Sequence, residues 1–127
     1  MSAVRAALLA FLCAGSCAVR AACPVGIETA PGQLAQFQLD MARTPEARAR
    51  GLMGRTQLPP GTGMLFDFGR EEPAVFWMHD TPLSLDILFV TDALRVVDIV
   101  NAATPNSDRL LPSSQPVRYA VEVAAGT

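Results

Sequence analysis

The residues best suited to chemistry fall in one stretch, Val75-Phe-Trp-Met-His-Asp-Thr-Pro-Leu-Ser-Leu-Asp-Ile-Leu-Phe-Val90, which sets the only Trp and the only His of the chain beside two carboxylates. The near-neutral pKa of a His side chain suits His79 to acid–base work, and Asp80 with Asp86 could serve as the carboxylate pair of a hydrolase. Trp77 offers either a large apolar group for a small core or an aromatic face for a sugar or peptide. Thr81-Pro82 makes an elbow, because Pro fixes its own φ and pushes the residue before it toward an extended conformation. His79, Asp80 and Thr81 therefore lie at a strand end, where binding groups commonly sit on a rigid scaffold. In an extended strand neighbours point to opposite faces, so Trp77, His79 and Thr81 share a face and Asp80 points away. The expectation is a partly exposed Trp77 in a pocket that also holds His79, with no dyad between His79 and Asp80.

Asp86 sits in the apolar run from Leu85 to Val90, where an unpaired carboxylate would be costly. Arg50 or Arg55 is its expected partner; the alternative for both arginines is to complete a helix dipole and pair with surface acids. The candidate ligand-binding set is thus Arg50, Arg55, Trp77, His79, Asp80, Thr81 and Asp86, with no residue assigned a catalytic role. No nucleophile motif, phosphate loop or metal-ligand set accompanies them, and no cofactor is expected. One His with one Cys beyond the N-terminal segment cannot supply the four ligands of a structural zinc site.

The elements that must position these residues follow from pattern. Phe37, Leu39 and Met41 alternate with Gln36, Gln38 and Asp40, as in a strand with one wet face. Thr44-Pro45-Glu46 starts a short helix near residues 45–53, with Thr44 as cap, Pro45 in the first turn and Glu46 against the positive end of the dipole. Leu58-Pro-Pro-Gly-Thr-Gly63 is a turn, followed by short strands at Met64 to Phe68 and Ala74 to Met78. Leu85 to Val90 is apolar on both faces apart from Asp86, as in a central strand. Thr91-Asp92-Ala93 turns the chain without the Gly that a tight hairpin favours, and Arg95 to Asn101 pairs back. Ala102 to Pro116 is a long loop. In the last strand Val117, Tyr119, Val121 and Val123 point inward, and Arg118, Ala120 and Glu122 outward. Six short, mainly antiparallel strands and one short helix make a small α+β domain that is mostly β.

A chain of 127 residues holds one domain. Met1 to Arg5 followed by the uncharged run Ala6 to Val19 has the layout of a secretory signal peptide, too short to span a bilayer, with cleavage expected after Ala18 or Ala21. The division is a signal peptide at 1–21, a loose segment at 22–33 and a β-rich domain at 34–127. Ala14-Gly-Ser-Cys17 supplies an alternative, a lipid anchor on Cys17. Cleavage leaves Cys23 near the new terminus, as an incidental or a reactive thiol. Cleavage after Ala21 leaves eight Arg, no Lys and twelve acids, a formal charge of −4. That balance argues against a nucleic-acid partner, which needs clustered positive charge.

Arg50-Gly-Leu-Met-x-Arg55, Gly63-Met-Leu-Phe-x-Phe68, Phe76-Trp-Met78, Thr81, Leu85-Asp-Ile87 and Tyr119-x-x-Glu-Val123, in this order and spacing, resemble the domain-of-unknown-function family numbered 192. The resemblance covers about Leu34 to Gly126. It implies a compact β-rich domain, often exported, with no assigned reaction. His79-Asp80 departs from the family's usual Lys or Arg followed by Asn. The chain also stops before a Leu-Gly-Leu/Ile-x-x-Gly-Asp segment, so an exposed apolar patch beside Tyr119, Val121 and Val123 is expected.

The resulting reading is an exported, periplasmic or extracellular, non-catalytic module that binds a small polar ligand such as a sugar or peptide, or a cell-wall component, with no membrane span. A structural or assembly-associated domain without a small ligand, and a small hydrolase using His79 or Asp80 with Asp86, are the alternatives.

Overall fold

The computed structural model describes residues 10–11 and 22–127. The elements are β1 (Ala10–Phe11), β2 (Cys23–Ala30), β3 (Gln33–Ala42), α1 (Pro45–Arg50), β4 (Thr62–Glu72), β5 (Val75–Phe76), β6 (Leu85–Val90), β7 (Val96–Ala103), β8 (Leu111–Pro112) and β9 (Val117–Ala124). Strands β2-β3-β4-β9-β6-β7 form a mixed sheet in that order, β1 adds to its β2 edge, and β5 pairs with β8 in a separate two-stranded sheet. All neighbours run antiparallel except β3 and β4. The fold is α+β and mostly β, as the sequence pattern implies.

The helix forms where its caps predict. Thr44 is extended at φ −86° and accepts from the Ala47 N–H at 3.1 Å, and Pro45 occupies the first turn. Gly51 ends the helix at φ +49°, donating its N–H to the Ala47 carbonyl.

Segment 22–33 is not loose but supplies all of β2 and the turn into β3. Cys23, Val25 and Ile27 alternate inward, and Pro31-Gly32 turns the chain with Gly32 at φ +78°. Pro24 and Gly26 disguise the alternation; Pro is tolerated near a sheet edge because it need not donate there. Cys23 is accordingly buried rather than on a frayed terminus. The residues of the expected signal peptide lie outside the described residues, except Ala10–Phe11, which pair with Gly26 and Val25. Among the described residues no helix is long and apolar enough to cross a membrane.

Strand β9 lies between β4 and β6 and is buried on both faces. Tyr119, Val121 and Val123 do not themselves form the expected exposed patch, being 9, 0 and 4% exposed. They pack with Val25, Ile27, Phe37, Leu39, Leu65 and Val90. Val96 of β7 joins this cluster with Val25 of β2, although the two strands stand at opposite ends of the sheet, so the sheet rolls around this face. On the outer face Ala120 packs with Ala42, Phe66, Ile87, Phe89 and Leu52, beneath α1 and the β5 segment. Glu122 lies on this outer face and is 4% exposed, not solvated as the strand pattern suggests. The turn between β6 and β7 manages without Gly by placing Leu94 at φ +61°.

Candidate functional site

The outer face carries a cavity of about 240 Å³. Its wall is the end of α1 with the turn that follows, from Arg48 to Met53. Phe66 and Phe68 of β4, Phe76 of β5, and Trp77 supply aromatic surface, and Thr81 and Glu122 complete the lining. Phe76 is the hub of the aromatic group, edge-on to Phe66 at 4.9 Å, to Phe68 at 6.3 Å and to Phe89 at 5.6 Å between centroids. Residues two apart on a strand share a face, so Ala120 and Ala124 flank Glu122, and their small side chains leave room over the carboxyl.

Glu122 is the acid of this lining; no hydrogen bond or ion pair reaches its side chain among the described residues, and its carboxyl oxygens open on to the cavity. Burial alone pushes its pKa from the ordinary carboxylate range to about 8. At neutral pH the group is mostly a protonated acid, able to donate one hydrogen bond and accept others.

The other polar groups differ in how far they are committed. Arg48 donates to the carbonyls of Arg43 at 2.6 Å and Asp67 at 3.2 Å, and its guanidinium lies 5.9 Å from the Phe68 ring centroid. The exposed Arg50 side chain has no ion-pair partner among the described residues. Thr81 is 5% exposed, and its hydroxyl donates to the His79 carbonyl at 3.0 Å, leaving the oxygen free to accept.

His79 stands at the rim, stacked on Trp77 with centroids 4.7 Å apart, and Trp77 is 45% exposed. The two rings are together as expected, but His79 does not line the cavity with Trp77, and the cause of their stacking is a turn and not a strand, since β5 ends at Phe76. Asp80 takes φ +50° in that turn, and its carboxylate sits 3.3 Å from His79 Nε2, so the two do interact, against the expectation from strand alternation. Asp108, from the loop after β7, holds His79 Nδ1 at 2.7 Å. This hydrogen bond raises the imidazole pKa, opposed by desolvation and helped by the charges of Asp80 and Asp108. The backbone carbonyl of Asp80 accepts from the Gly54 N–H at 2.7 Å, which ties the turn to the end of the helical wall.

Of the residues anticipated from sequence, Arg50, Trp77 and Thr81 line the cavity, and His79 and Asp80 flank Trp77. Arg55 does not; it pairs with Asp40 of β3 at 2.8 Å. Asp86 lies on the opposite face of β6 from Leu85 and Ile87, away from the helix and both arginines. Its carboxylate accepts instead from the backbone N–H groups of Ala102 at 2.7 Å and Gly126 at 3.0 Å. The hydrolase pair of Asp80 and Asp86 is not assembled. Glu122, Phe66, Phe68, Phe76 and Asp108 were missed. The available signal for Glu122 was a lone acid between the small residues Ala120 and Ala124, in a strand whose other charged residue is Arg118, inside the Tyr119-x-x-Glu-Val123 block.

The family profile described as DUF192, "Uncharacterized ACR", matches residues 26–127. The chain belongs to the DUF192 family. A DUF192-like solved structure from Sinorhizobium meliloti 1021, of a protein described as a candidate transcription regulator, is 37% identical with a TM-score of 0.81, over 88% of this chain and 86% of that one. A second, of a protein of unknown function from Novosphingobium aromaticivorans DSM 12444, is 36% identical with a TM-score of 0.77, over 81% of this chain and 73% of that one. None of the curated proteins matches this DUF192 chain.

Proposed function

We propose that this DUF192 domain is a non-catalytic binding module that takes a small ligand in the cavity between α1, the β5 segment and β9. The observation that carries the reading is Glu122: 4% exposed, without a side-chain partner among the described residues, and lining a cavity with Phe66, Phe68, Phe76 and Trp77. Its carboxyl oxygens are not sealed in the core but open on to the cavity, where they lack a protein partner among the described residues. An occupant with a polar group opposite Glu122 and an apolar body against Phe66, Phe68 and Trp77 would supply that partner in place of solvent. Catalysis is the weaker reading, since the lining holds one carboxyl and its one hydroxyl, on Thr81, donates to a carbonyl. A nucleic-acid role, which the name of the Sinorhizobium protein would suggest, has no support in a chain of net charge −2.

We also place the module outside the cytoplasm, on the signal-peptide layout of residues 1–21. The ligand would then be a small extracytoplasmic compound. The test is a fluorescence titration of the protein, whose single Trp stands at the cavity mouth, with pooled amino acids, short peptides and sugars, repeated with E122Q. Saturable change in the wild type, altered in E122Q, is the expected result. A Trp77 signal indifferent to every pool, with equally silent calorimetry, would leave the structural-domain reading in its place.

A further inference from the structure

We infer that the occupant is a small zwitterion of amino-acid size, its ammonium group set against Glu122 and its anionic end toward Arg50. The inference rests on the binding reading above and specifies the chemistry of the same cavity. Size comes first: about 240 Å³ is below the roughly 300–1,000 Å³ of sites for drug-sized ligands, so an oligosaccharide or long peptide does not fit inside. Polarity comes second. A sugar carries a hydroxyl on most carbons, and against Phe66, Phe68, Phe76 and Leu52 most of these would lose water without gaining a partner. An amino acid or similar zwitterion concentrates its polarity at two charged groups and leaves the rest apolar.

Charge decides the orientation. Glu122 is the acid of the lining and can become the counter-ion of an ammonium group, while the Thr81 oxygen can accept a second of its hydrogens. The surrounding rings also favour a cation, through the negative faces of their π systems. At the mouth, Arg48 is already committed to two carbonyls, and Arg50 is the cation left without an ion-pair partner among the described residues. A carboxylate there would meet a planar guanidinium that can bind both its oxygens. An anionic ligand lacking the amine would leave Glu122 unpaired, and a simple amine lacking the carboxylate would leave Arg50 unused.

The same ammonium chemistry is found in a free amino acid and in the N-terminus of a peptide, and the test separates them. Calorimetry with the wild-type protein would use the twenty L-amino acids, their N-acetyl and deaminated counterparts, their methyl esters, N-terminally free dipeptides, and glucose. The expected result is binding by at least one amino acid, weakened at least about tenfold by N-acetylation or deamination, which remove the charged hydrogen bond. Dipeptide binding of equal strength would identify the peptide terminus as the source, and weaker binding the free amino acid. Affinity should rise by up to about tenfold per pH unit from about pH 6 to about pH 8, because Glu122 must release its proton to pair with the ammonium. R50Q, a change on an exposed helix position, should weaken the amino acid but not its methyl ester, and so tests the anionic end even if E122Q does not fold. Acetylated and free forms binding alike, or affinity falling as pH rises toward 8, would overturn the zwitterion while leaving a binding module. Glucose binding with every amine silent would do the same. Silence from all compounds would overturn both readings.

Discussion

A carboxyl held at a pKa of about 8 against an ordinary 4.5 destabilises the fold whenever it is ionised. Between these values native Glu122 keeps a proton that the unfolded chain has lost, so stability falls as pH rises through this window. At about 1.4 kcal/mol per unit, the loss is on the order of 5 kcal/mol once pH exceeds 8. E122Q removes the ionisation and keeps the shape. It is expected to unfold much like the wild type near pH 5 and to be more stable by a few kcal/mol near pH 9, in urea melts at the two pH values. A wild type that loses no stability relative to E122Q would show that the carboxyl is solvated. Little of this was legible in the sequence. Alternation with Arg118 assigned Glu122 to solvent, and only the packing of α1 and β5 over β9 buries it. His79 and Trp77 were legible as neighbours because they are two residues apart, whereas Asp108, 29 positions away, depends on where a long loop returns.

At the scale of elements, the sequence located what local rules govern. The helix cap at Thr44, the apolar strand Leu85 to Val90 and the alternation in β3 all appear where expected, while the helix stops at Arg50, short of the expected residue 53. What it concealed depends on neighbours. Pro24 and Gly26 look like loop residues until β3 pairs with them, and β9 looks half-exposed until both of its faces are covered. Gly63 is a further case, a glycine at the end of an obvious turn whose real constraint is the strand beside it. A Cβ there would stand 2.1 Å from the Glu122 carbonyl oxygen, 3.0 Å from Val123 Cγ1 and 3.1 Å from Leu39 Cδ2. The first contact is with backbone in the middle of the sheet and cannot be relieved by a rotamer change. G63A should therefore cost about 3 kcal/mol or more by overpacking. At Gly69, where φ is +78° but no atom lies within 4 Å, G69A should cost only the roughly 1–2 kcal/mol of a left-handed residue. Paired denaturant melts compare them, and equal losses would mean that β4 and β9 separate to admit the methyl group.

For the whole molecule, the parallel pairing of β3 and β4 has the largest consequence. Adjacent parallel strands cannot be joined by a tight hairpin, so the chain from Arg43 to Gly61 must cross over the sheet. That crossover contains α1 and becomes the wall of the cavity, which makes the site a product of topology more than of any motif. The opposite edge bears on export. Among the described residues, removal of residues 1–21 would take away the two-residue pairing of Ala10–Phe11 and leave β2, with Pro24, as the edge strand. Mass spectrometry of the exported protein should find an N-terminus between Val19 and Cys23, and a chain beginning at Ala22 should melt within a few degrees of the full-length protein. Intact Met1 recovered only from the cytosol would defeat the export reading.

The wall itself is a six-residue helix with no buried residue of its own. Helices need roughly 12–15 residues to persist alone in water, so α1 survives only while its neighbours hold it. Its amides should exchange with deuterated water far sooner than those of Val121 and Val123, which open only when the sheet does. An occupant held between Arg50 and Glu122 would press on this wall and should slow exchange from Ala47 to Met53, as well as around Trp77 and Thr81, which line the same cavity. Exchange followed by mass spectrometry reads this directly, and protection in α1 equal to that in β9 would describe a rigid wall instead of a labile one.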